Sequence, residues 1–118
     1  VAVDVATLIA WLPNGSEYDT DPESADYALL SECLAAMVDH VGGQCAAVIN
    51  IDAEDVMTKL SEVDPDAWPR PVRRATIMLA ADLYAYRNRP GVLESGTYIP
   101  RNAMAERLLG SYLVIGFA

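Results

Sequence analysis

The sequence predicts an all-α fold, a small bundle of about four to five helices followed by an extended C-terminal arm. Three observations predict it. Apolar residues recur at three- and four-residue spacing along several segments, capping and breaking residues bracket those segments, and the one β-branched run has no evident partner strand. With 118 residues, 53% hydrophobic and 21% charged, the chain holds material for one core and no second lobe. Residues 1–110 therefore read as one helical domain and residues 111–118 as an interaction arm.

Asp4 is placed to cap a first short helix, Val5 to Leu12, which Pro13-Asn14-Gly15 closes. A polar loop follows. Asp21 as N-cap, Pro22 at the first helical position and Glu23 in the first turn then open a second helix. Its apolar face reads Leu29, Leu30, Cys33, Leu34, Met37, Val38 and Val41, and Gly42-Gly43 are expected to end it. Cys45 to Ile51 is β-branched and short, but an isolated strand cannot stand alone, so no sheet is built on it. Asp52 is read as the cap of a short helix from Ala53 to about Val63, stopped by Asp64-Pro65-Asp66.

Trp68-Pro69-Arg70-Pro71 forms a corner that leads into the third helix, Pro71 to about Asn88, with Trp68 positioned to staple the first turn. Val72, Ala75, Thr76, Leu79, Leu83 and Tyr86 make one stripe, and Ile77, Met78, Ala80, Ala81 and Tyr84 widen it almost all the way round. A helix this apolar is enclosed by others. Arg87 and Arg89 suit its C-terminal pole, whereas Arg73 and Arg74 sit in the first turn, where positive charge calls for a compensating partner. A loop from Gly91 to Ile99 leads to a last short helix, Arg101 to Leu109, between Pro100 and Gly110. The terminal "SYLVIGFA" is too short and apolar to form a core of its own; it either folds back on the helices or serves as an arm for another protein.

The net charge of -9 is divided unevenly. Residues 1–69 hold 14 acids and one lysine, while residues 70–118 hold 3 acids and 7 arginines. Such polarity is satisfied within one molecule, between copies, or by phosphates against the arginines, the last opposed by the acidic half. No long apolar run marks a membrane span, and no basic start precedes a hydrophobic stretch, so the expectation is a protein made in a cytoplasm, with no membrane partner. Cys33 and Cys45 read as reduced core thiols. Asn14-Gly15-Ser16 matches a glycosylation sequon but reads as a turn. The single histidine, His40, has no second ligand at metal spacing, and neither a glycine-rich phosphate loop nor a serine elbow is present. The sequence therefore predicts no catalytic, metal or cofactor site.

Trp68-Pro69, Val72, Ala75, Leu79-Ala80-Ala81, Leu83-Tyr84, Arg87-Asn88, Pro90 and Leu108-Leu109-Gly110-Ser111-Tyr112 follow one another in an order that resembles the head-tail connector proteins (head completion or adaptor proteins) of long-tailed bacteriophages. The likeness spans residues 68–112, with Ser111 where that family often has proline and a longer interval between Cys45 and Asp66. It implies a structural virion protein of the neck, between capsid and tail, assembled in the host cytoplasm. In that arrangement a helical subunit forms a ring, a dodecamer in relatives, docks on a portal protein, meets a stopper or tail-completion protein, and lets DNA pass without sequence-specific binding. On this reading Leu109, Tyr112, Leu113, Val114, Ile115 and Phe117 form the portal-binding arm, and Arg73, Arg74, Arg87, Arg89 and Arg101 lie at the contact between subunits. Acidic residues would line the DNA channel, because attraction at each phosphate would hold the duplex in place. The alternatives are a DNA-packaging or regulatory module that contacts nucleic acid through arginines, and a cytoplasmic adaptor that forms no ring.

Overall fold

A computed structural model describes residues 2–12, 25–85 and 102–113. In chain order these form α1 (Val5–Trp11), α2 (Ala25–Gln44), β1 (Ala46–Ile51), β2 (Glu54–Lys59), two 3-10 turns (Leu60–Glu62 and Pro65–Ala67), α3 (Arg70–Ala85) and α4 (Ala103–Leu109). Helix starts follow the capping chemistry. Asp4 accepts the Thr7 amide at 2.8 Å, Asn102 accepts that of Ala105 at 3.0 Å, and Asp64 accepts that of Asp66 at 3.0 Å ahead of Pro65. The expected Asp21-Pro22-Glu23 opening of α2, the Arg87 and Arg89 end of α3, and Pro100 and Arg101 lie outside the described residues.

α3 is the centre of the core. Ten of its residues, from Val72 to Tyr84, are buried, and α1, α2 and α4 all pack on it. α2 turns Leu30, Cys33, Leu34, Met37 and Val41 inward. It does not stop at Gly42 but runs on to Gln44. A Cβ at Gly42 would come within 3.3 Å of the Ser61 backbone and 3.4 Å of the Trp68 ring, so this glycine serves close approach and not termination. Trp68, 2% exposed, locks the same junction: its indole N–H is shared between the carbonyls of Leu60 (2.9 Å) and Val63 (3.1 Å). It thus plugs the chain preceding α3 and lies in the same buried cluster as Val72 of that helix's first turn.

The fold is not all-α. β1 and β2 form an antiparallel hairpin, pairing Ala46 with Lys59 through Ile51 with Glu54, where a helix from Ala53 to Val63 was expected. The partner that Cys45 to Ile51 lacked is the segment read as that helix. The two strands are joined by Asp52 and Ala53, both with positive φ (51° and 67°), as a tight two-residue hairpin turn requires. Neither is glycine, so the usual mark of such a turn is absent. Ala47 and partly buried Ile49 anchor the ribbon to the core, while Val48, Val56 and Met57 are exposed at 57%, 42% and 67%. Beyond this base the hairpin contacts the helices only sparsely.

Candidate interaction surfaces

The arginines at the start of α3 go different ways. Arg73 folds back, its Nε donating to the Trp68 carbonyl at 2.9 Å, which offsets its unfavourable place at the positive pole of the helix. Arg74 is exposed and lies over the Trp11 ring at 5.8 Å from its centroid, a cation–π contact worth about 0.5–1 kcal/mol at such a site. Of the residues expected between subunits, then, Arg73 is engaged within its own chain and Arg74 faces a surface, while Arg87, Arg89 and Arg101 lie outside the described residues.

That surface is a groove of about 200 Å³ among three helices, lined by Trp11, Arg74, Met78, Met104 and Leu108. Met78 and Leu108 form its deeper part; Trp11 (44% exposed) and Met104 (59% exposed) stand at its sides. Exposed Arg70 lies one turn before Arg74 on α3, and exposed Arg107 lies one turn after Met104 on α4. Asp82, two turns further along α3 from Arg74, is engaged by the Asn102 amide at 2.7 Å. The groove escapes a linear reading because each wall comes from a different helix.

The hairpin is the second surface. Antiparallel register puts Val48 opposite Met57 on one face, flanked by the pair Asn50 and Asp55, whose side chains bond at 3.1 Å, and by Ala46 with Lys59. The far end of the ribbon carries Asp52, Glu54 and Asp55, all exposed. The exposed apolar pair is thus flanked by Asp55 toward the turn, which carries Asp52, and by Lys59 toward the base, while Glu54, opposite Ile51, lies on the other face.

The expected arm is tied down where it begins. Leu109 is buried, Tyr112 packs against the core, and the Ala46 amide donates to the Tyr112 carbonyl at 2.9 Å beside an antiparallel bridge between Cys45 and Leu113. Leu113 is 38% exposed, and Val114, Ile115 and Phe117 lie outside the described residues.

Among the described residues no group of three His, Cys, Asp or Glu side chains is placed to hold a metal ion, and no helix is long and apolar enough to cross a membrane. Cys33 and Cys45 are buried and form no disulfide, and burial pushes the Cys45 thiol up to about 11, so it stays protonated at neutral pH. A second hollow, lined by Val38, Asp39, Leu60, Ser61, Val63, Pro65 and Trp68, is the seam between α2 and the 3-10 turns, and its one indole donor is already shared between two carbonyls. No family model, curated protein or solved structure matches the chain.

Proposed function

We propose that this chain is a structural subunit of a bacteriophage head-to-tail connector, a ring-forming adaptor that docks on a portal protein and continues the DNA channel toward the tail. The supporting observation is the pair of unlike exposed apolar surfaces on one small subunit, one edged by arginine and the other by acids. A head-to-tail contact joins two different patches of the same chain and closes into a ring when the rotation per copy is right. The likeness over residues 68–112 supports the same role, and the corner at Trp68 is where the chain is fastened before α3. In this reading the residues after Leu113 reach the portal, the subunit has no catalytic duty, and its place is the neck of the virion.

The test is reconstitution with a bacteriophage portal protein from the same genome, followed by sizing and electron microscopy. A closed ring seated on the portal is expected, and deleting residues 114–118 should abolish docking while leaving the circular dichroism unchanged. A chain that neither rings nor binds the portal, yet is retained on DNA in a salt-sensitive way, would replace this reading with the nucleic-acid one.

A further inference from the structure

We infer that the hairpin of one copy seats in the Trp11–Arg74–Met104 groove of the next, so that this pair of surfaces is the subunit contact of the proposed ring, on which reading the inference rests. Charge complementarity selects a second copy as the occupant. At its tip the hairpin presents Val48 and Met57 next to Asp55 and the turn residue Asp52, with Lys59 on the same face at the base; the groove presents Met78, Leu108, Trp11 and Met104 next to Arg74, with Arg70 and Arg107 on the adjoining turns. Each surface has what the other lacks. An unlike copy-to-copy pairing also follows from the charges, because tip against tip would bring Asp52 and Asp55 of both copies, four acids, together and groove against groove would oppose arginines. The hairpin's sparse contacts with its own helices leave it projecting as an insert, and Met57, the most exposed large apolar side chain of the described residues, is an adaptable anchor for an apolar recess.

The experiment uses the full chain with Met57→Cys in one preparation and Met104→Cys in another, each oxidised mildly alone and then as an equal mixture, with and without portal protein, so that the disulfide traps covalently a contact that truncating either methionine weakens. Buried Cys33 and Cys45 provide a quiet background. Disulfide-linked pairs are expected in the mixture only, and the double variant should give a ladder of linked multimers. Arg74→Glu should lower the linked yield roughly tenfold at low salt, and adding Asp55→Arg to it should restore the yield. Both charge variants keep a hairpin and a helix surface exposed to solvent, so circular dichroism should remain unchanged. A ring that assembles without any link between positions 57 and 104 would overturn this inference and leave the ring standing. Links confined to Met57→Cys copies alone would also overturn it, in favour of a two-fold pairing. Absence of any oligomer, with or without portal, would remove both.

Discussion

Three side chains carry most of what can be tested one residue at a time. Trp68 fills a core position and supplies the shared donor to the Leu60 and Val63 carbonyls. Trp68→Phe keeps much of the ring but strands those acceptors, so urea denaturation should show a loss of about 1–3 kcal/mol; an unchanged midpoint would mean the two bonds contribute nothing net. Cys45, protonated and buried, should resist iodoacetamide in the folded protein and react once denatured. His40 has its pKa lowered from 6.5 by burial on α2. Below pH 6.5 the unfolded chain takes up a proton that the folded chain does not. The stability that neutral His40 confers is therefore present above pH 6.5 and lost as pH falls through its folded pKa. Comparing urea midpoints of the wild type and His40→Gln between neutral and mildly acidic pH isolates this: the wild type should lose more on acidification, and parallel pH profiles would refute it.

At the scale of elements, the helices were legible and the hairpin was not. Asp4 and the apolar stripes of α2 and α3 mark helices by capping geometry and periodicity, chemistry that acts within a few residues. Ala53 to about Val63 reads as helix from Asp52 as a cap and Asp64-Pro65-Asp66 as a stop; Ala, Glu, Met and Lys do favour that state locally, and Asp52-Ala53 lacks the glycine that advertises a two-residue turn. Pairing with β1 decided the outcome against that local preference. Ala53 consequently holds a left-handed φ of 67° with no side-chain compensation. Ala53→Gly should stabilise the protein by about 0.5–1 kcal/mol in thermal or urea unfolding, relief of the turn outweighing the added chain entropy. A destabilised variant would contradict the tight turn. The groove was equally hidden, since Trp11, Arg74 and Met104 come from α1, α3 and α4 and meet only after packing. Arg74 itself was visible as an uncompensated charge, although its partner proved to be an aromatic face.

For the whole molecule, the division of charge along the chain finds a structural counterpart in an acidic hairpin and an arginine-rimmed groove. Contact between such surfaces gains from opposite charge at its rim and should weaken with salt, because exposed charges are screened beyond roughly 8–10 Å at 0.1–0.15 M. The apolar centre is screened far less, so Met57→Ser should reduce association at any ionic strength, whereas Arg74→Ala should do so chiefly at low salt; equal losses for both across a salt series would speak against this division of labour. The central claim is that copies of this chain complete one another through two unlike surfaces. Its most direct test is the molar mass by light scattering, over a concentration series at low salt, of the wild type and of Met57→Ser, alone and on the portal protein. The account predicts a closed multimer for the wild type and its collapse to monomers in the variant. A wild type that stays monomeric throughout, or a multimer indifferent to the substitution, would contradict it.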